Sequence, residues 1–113
     1  EEWTSEASMP SSRWFGAAVS FPLHGDIVVL GGRDQQWQEL STAQSFDTET
    51  KEWLDIASMS TPRFGCGATR IGPSKLLAVG GFNGDKWQTS AEIYDYETDE
   101  WTLVQSMPEA LEF

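Results

Sequence analysis

The chain has one cysteine, Cys66, and one histidine, His24, and it carries seven basic residues against eighteen acidic ones. A lone cysteine excludes an internal disulfide framework and any zinc cluster built on several thiolates. It favours a reducing compartment, so a cytoplasmic location is expected. The formal net charge of -11 repels nucleic-acid phosphates and anionic membrane surfaces, which makes neither nucleic acid nor membrane an expected partner. A protein with basic patches matches better. No apolar run approaches the roughly 20 residues needed to span a bilayer; the longest, Ile27 to Leu30, is strand length. Nor does any stretch keep the 3.6-residue apolar period of an amphipathic helix over two turns, and strands are what remain.

What the chain does have is repetition. Gly31-Gly32 recurs as Gly80-Gly81, Phe46-Asp47 as Tyr94-Asp95, Trp53 as Trp101 and Met59 as Met107, with a spacing of about 48 residues. Trp3 and Met9 stand one period further back. A fixed period in this range marks a tandem array whose units lean on their neighbours. Both ends fall in mid-pattern and the first residue is Glu1, so the chain reads as an excerpt of a longer array. An array is a scaffold, and any activity is expected in the loops that differ between copies.

Each unit reads as four strands. The small residues of Ala17–Phe21 and of Cys66–Thr69 suit an innermost strand where several sheets converge. Turns rich in Pro, Gly and Asp or Ser follow, at 22–26 and 72–74. The continuous apolar runs Ile27–Leu30 and Leu76–Val79 predict strands covered on both faces. The glycine pairs that end them allow positive φ and a sharp turn into a loop. Those loops, 33–40 and 82–88, differ most between copies. A third strand at 43–47 or 91–95 points an aromatic inward, an Asp opens the next turn, and a fourth strand begins at Trp53 or Trp101. The expected fold is all-β: four-stranded antiparallel sheets stacked face to face around an axis.

Most singled-out residues have a structural explanation. Trp53 and Trp101 recur on the outer strand and are expected to fill the wedge between sheets, with Phe46 and Tyr94 packed beside them. The Tyr94 hydroxyl should find a partner. Trp37 and Trp87 recur at nearly the same offset, each followed by Gln, and that recurrence favours structure for both. Arg13 and Arg63 each follow a Met by four residues and are expected to tie down backbone carbonyls or acidic turn residues. His24 sits in a hairpin turn, where a solvated side chain is expected, and Cys66 behaves as a small buried hydrophobe. The acidic residues Glu49, Glu52, Glu97, Asp99 and Glu100 fall in equivalent turns, as a solvated sheet edge would have them. There is no nucleophile elbow, no metal-spaced histidine cluster and no phosphate-cradling glycine loop. No catalytic residue, metal or cofactor is therefore expected in this segment.

The double glycine, the aromatic followed by Asp, the Trp about seven residues later, and the Met and Arg at Met9-Arg13 and Met59-Arg63 together resemble kelch repeats. The resemblance covers nearly the whole chain and implies blades of a kelch-type β-propeller. Residues 1–12 would hold the outer strand of a preceding blade and a linker, 13–62 the first blade, and 63–113 the second with the start of a further passage. Rings of this family close with about six blades, so a two-blade piece leaves sheet faces open. Val28, Leu30 and Trp101 are then expected to be at risk of exposure, and the open faces invite self-association.

The resemblance also implies a protein-binding module, either the substrate-recognition part of a ubiquitin-ligase adaptor or an actin- or cytoskeleton-binding protein. A fragment of a propeller enzyme, of the galactose-oxidase or sugar-mutarotase kind, is the alternative, with its catalytic residues outside this segment. In such modules recognition is built from the loop after the double glycine and the passage between blades. The implied partner-binding residues are Arg33, Asp34, Gln35 and Trp37, then Phe82, Asn83, Asp85 and Lys86, with Trp14, Phe15 and Phe64 in the passages. Arg33, Phe15 and Phe82 lead that set.

Overall fold

The structure, a computed structural model, describes residues 13–22 and 24–104. Trp3, Met9, Leu23 and Met107, together with the expected outer strand and linker at 1–12, lie outside the described residues. Eight strands follow in order: β1 (Ala17–Phe21), β2 (Asp26–Leu30), β3 (Ala43–Asp47), β4 (Glu52–Ile56), β5 (Gly67–Arg70), β6 (Lys75–Val79), β7 (Ala91–Asp95) and β8 (Glu100–Val104). They form two four-stranded antiparallel sheets in simple sequential order, β1 to β4 and β5 to β8. The strands β1 and β5 lie against each other. That is where the small residues of the sequence cluster.

The register explains which side chains meet. In the first sheet Val19 pairs with Val28, Ala17 with Leu30, and Leu30 with Ala43, so all of them share one face. In the second, Leu76 pairs with Tyr94, Ala78 with Glu92, and Tyr94 with Trp101. These two faces meet, and Val19, Phe21, Val28, Leu30 and Ala43 join Leu76, Ala78 and Tyr94 in one core with Trp101 packed against it. Each fully buried side chain of this size contributes about 1.5–3 kcal/mol. The contact between sheets is thus the hydrophobic core.

The expectation that Val28 and Leu30 would be left open is corrected. Both are 0% exposed, because strand alternation turns them toward the second sheet. The residues left half-buried on the face turned away are Ile27, Val29, Phe46 and Trp53. Trp101 is also half-buried and belongs to the contact, where its Nε1–H donates to the Ala57 carbonyl of the first repeat at 2.7 Å. Each run expected to be covered on both faces is covered on one within these two sheets.

The glycine pairs work by close approach as well as by conformation. Gly31 and Gly32 hold φ of 67° and 94°, and Gly32 donates its backbone N–H to Arg63 at 2.8 Å. A Cβ on Gly32 would stand 2.8 Å from the Trp14 carbonyl oxygen. Only glycine lets the passage between repeats tuck beneath the loop.

Two features add to the apolar core, one inside each repeat and one across the contact between the sheets. Arg63 is fully buried and donates from Nη1 to the carbonyls of Gly80 and Ser90, and from Nη2 to Ser90 Oγ and Glu92 Oε2. Arg13 does the same one repeat earlier, donating to the Gly31 and Thr42 carbonyls and to Gln44 Oε1. The other feature is Tyr96, which nothing in the sequence singled out. Its ring stacks on Phe21 at 5.2 Å, and its hydroxyl donates to Asp26 and lies 3.1 Å from Ser45 Oγ. His24 joins it, 4.8 Å from that ring and 3.0 Å from Ser74 Oγ, so its imidazole bridges two hairpin turns although it is exposed.

Candidate functional site

The loops that follow β2 and β6 emerge at the end of the sheets where β1 and β5 begin, since Ala17 pairs with Leu30 and Gly67 with Val79. There the passage into each repeat runs antiparallel to the start of the loop. Trp14 exchanges both backbone hydrogen bonds with Arg33, at 2.8 and 2.9 Å, and Phe64 does so with Phe82 at 2.9 Å each way. These short bridges bring six aromatic side chains, scattered from 14 to 87 in sequence, onto one rim.

Arg33 is the hub of that rim. Its Nε–H donates to Glu39 Oε2 at 2.6 Å, and its guanidinium carbon stands 3.9 Å from the centre of the Phe64 ring. The rings of Trp37 and Phe82 lie within 5.6 and 5.9 Å of the same atom. Around it, Trp14 stacks on Trp37 at 5.9 Å, Phe15 meets Phe64 edge-on at 5.4 Å, and Phe82 packs on Trp87 at 5.3 Å. Cation–π contacts of this kind contribute about 0.5–1 kcal/mol each in exposed settings. Arg33 therefore organises the rim, with its charge already answered by Glu39.

Exposure separates the remaining sequence candidates. Trp14, Phe15 and Trp37 are 52%, 68% and 55% exposed, whereas Phe64 and Phe82 are half-buried behind them. Gln35, Asp85 and Lys86 are exposed on the loop tips. Asp34 and Asn83 shape the loops: Asp34 Oδ1 accepts from the backbone of Gln36 and Gln38, and Asn83 Oδ1 from that of Asp85 and Lys86. One oxygen of each is committed to its own turn.

The likeness drawn between Trp37 and Trp87 does not hold. Trp87 bridges Phe82 as Glu39 bridges Arg33, so Trp87 is the counterpart of Glu39 and packs inward. The first loop is one residue longer, and Trp37 stands at its tip with φ of 61°. Loop length, which sequence spacing alone hides, decides the difference.

The groups with other chemistry lie away from the rim or are closed. Burial holds the Cys66 thiol above its ordinary range, against a smaller pull from Arg63. Burial likewise raises the Asp26 carboxyl, with Asp47 adding to it and His24 opposing. Desolvation lowers Arg13 while Asp55 holds it up. Among the described residues no three His, Cys, Asp or Glu side chains gather as a metal ion would require, and no helix is long and apolar enough to cross a membrane.

Comparison with known proteins adds to this geometry. The family profile described as the Kelch motif matches residues 18–60 and 62–108. Kelch-like protein 25 of Xenopus tropicalis is 34% identical over 96% of this chain, which spans 18% of that protein. Kelch-like protein 36 of Rattus norvegicus is 33% identical over 96% of the chain and 18% of its own length. An F-box/kelch-repeat protein of Arabidopsis thaliana is 28% identical over 94% of the chain and 27% of its own length. The chain thus spans about a fifth to a quarter of these relatives.

Proposed function

Because the chain belongs to the kelch-motif family, we propose that it is a protein-binding module whose partner docks on the aromatic rim, with Trp14, Phe15 and Trp37 making the contact. The observation that carries this reading is the exposure of three large aromatics together at the loop end of the two sheets. Exposed Trp and Phe that are already held in place lose little conformational freedom on binding, and such residues dominate interface energetics. Phe64, Phe82 and Arg33 serve as the backing that holds them.

The finer role is substrate recognition for a ubiquitin ligase. A relative named as an F-box/kelch-repeat protein carries repeats of this kind in one chain with an F-box, which supports that role over a cytoskeletal one. The test is a quantitative affinity capture comparing the wild-type protein with a Phe15→Gly, Trp37→Ala double variant. Partners that the variant loses, and whose turnover by the proteasome slows when the wild-type protein is removed, are the expected outcome. Partners bound equally by both forms would place recognition elsewhere.

A further inference from the structure

Phe15 occupies a position that its own repeat partner fills with glycine. Arg13-Trp14-Phe15-Gly16 aligns with Arg63-Phe64-Gly65-Cys66, and both Phe15 and Gly65 have positive φ, 58° and 70°. Gly65 adopts that conformation without strain, while an L-residue with a bulky side chain resists it. Strain of this kind is normally offset by burial, yet Phe15 is, among the described residues, the most exposed large hydrophobic one, at 68%. Trp37, the other exposed aromatic with positive φ, stands on the same rim. Two strained aromatics held into solvent on one rim are the pattern of residues kept for contact.

The rim also differs from the rest of the molecule in charge. The segments that build it, 13–16, 31–42, 62–66 and 80–90, hold Arg13, Arg33, Arg63 and Lys86 against Asp34, Glu39 and Asp85, whereas the whole chain is at -11. Most of those charges are spent internally. Arg13 and Arg63 point their guanidinium groups at backbone carbonyls, and Arg33 is held by Glu39. Lys86 remains exposed, with Asp85 next to it in the chain. The surface that a partner meets is therefore aromatic and close to neutral, neither the basic groove an acidic peptide needs nor the acidic one a basic peptide needs. The expectation of a partner with basic patches does not fit this rim.

We propose that the rim takes an uncharged, proline-containing extended segment of a partner protein, lying across Trp14 and Trp37 with its end against Phe15. This rests on the protein-binding reading given above. A polyproline segment offers flat rings that stack on indoles, a backbone already fixed in extended form, and carbonyls turned outward as acceptors. The rim supplies the complement. Trp14 and Trp37 stack within 30° of each other, and the side chains of Gln35, Gln36 and Gln38 stand exposed beside them as amide donors. No charged group is needed for the fit.

The experiment is a titration of the full chain with an oligoproline peptide, followed through the tryptophan indole N–H signals by NMR. Lysine-rich and glutamate-rich peptides of equal length serve as controls. The expected result is saturable movement of the Trp14 and Trp37 signals with oligoproline alone, weakened roughly tenfold or more by Trp37→Ala and by Phe15→Gly. The Phe15→Gly variant adopts the conformation Gly65 already has, so loss of binding there cannot be put down to unfolding. Movement with a charged peptide in place of oligoproline overturns the proposal. So does a lack of response to all three, and if cellular partners are still lost from the double variant in that case, the peptide chemistry alone has failed and the docking face stands.

Discussion

Arg63 and Glu92 meet at 3.1 Å with neither side chain exposed to solvent. The pair sits where the passage between repeats enters the second sheet, and Glu92 also accepts the backbone N–H of Ser60 on its other oxygen. One repeat earlier the same place is held by Arg13 and Gln44, a neutral acceptor, with the counter-charge moved to Asp55. Truncating one member of a buried pair strands the other, at a cost of about 3–5 kcal/mol. Glu92→Ala should therefore lower the denaturation midpoint severely. Glu92→Gln keeps an acceptor for Arg63 and should lose clearly less; equal losses in urea unfolding would mean that charge outweighs hydrogen bonding there.

Tyr94 is 1% exposed, and its hydroxyl donates to Asp99 Oδ1 at 2.7 Å. Burial first, then that hydrogen bond and the charges of Asp99 and Asp95, push its ionisation far above the ordinary phenol value. In the alkaline range the unfolded chain gives up this proton before the folded one does. Stability must then fall as pH rises above about 10, the usual tyrosine value. Alkaline spectrophotometric titration should show Tyr94 ionising only together with unfolding. Tyr94→Phe, which restores the residue found at Phe46, should cost about 1 kcal/mol and flatten that alkaline slope.

Cys66 is 8% exposed and its thiol is held up by burial. The nucleophile in alkylation is the thiolate, so the folded protein should react with iodoacetamide far more slowly than a free thiol. The rate should rise in step with denaturant-induced unfolding. Fast alkylation of the native chain, without loss of structure, would show that the inner strand opens on its own.

The strands could be read from the sequence because their signals are local: an apolar run, a glycine pair, an Asp-led turn, twice over. Recurrence likewise pairs Trp101 with Tyr94 as it pairs Trp53 with Phe46, and the rings stand 4.9 and 4.8 Å apart. Recurrence failed where the loops differ in length, so that Trp37 was matched to Trp87. Which face of β2 turns inward also escaped, since Val28 and Val29 look alike in a continuous run. The neutralisation of Arg33 by Glu39 depends on a bridge six residues apart whose counterpart in the second loop, Phe82 with Trp87, carries no charge. Phe15 carried one usable sign, its alignment with Gly65, which marks a position that requires positive φ.

Tyr96 reaches from the turn after β7 into the first sheet, where it stacks on Phe21 and bonds Asp26. Its counterpart Thr48 makes a local bond to the Gly25 carbonyl instead, so this reach is specific to the second repeat. Tyr96→Ala removes an aromatic contact worth about 0.5–1.5 kcal/mol beyond its buried area. Together with lost burial, the expected destabilisation is about 2–3 kcal/mol. A double-mutant cycle with Phe21→Leu should give a coupling of at least about 0.5 kcal/mol; additive losses would mean that the stacking contributes nothing of its own.

The strain assigned to Phe15 can be measured apart from any ligand. Phe15→Ala and Phe15→Gly both remove the ring and its edge-on contact with Phe64. Alanine keeps the Cβ that resists φ near 58°, whereas glycine adopts it freely at the price of a more flexible unfolded chain. The left-handed conformation disfavours a side chain by about 1–2 kcal/mol, and the added freedom of unfolded glycine takes back roughly half of that. Phe15→Gly should thus be more stable than Phe15→Ala by about 0.5–1 kcal/mol in paired urea unfolding curves, the reverse of the usual order for an exposed site. If alanine is the more stable of the two, the backbone at Phe15 is relaxed, and its outward aromatic ring needs no functional reason to persist.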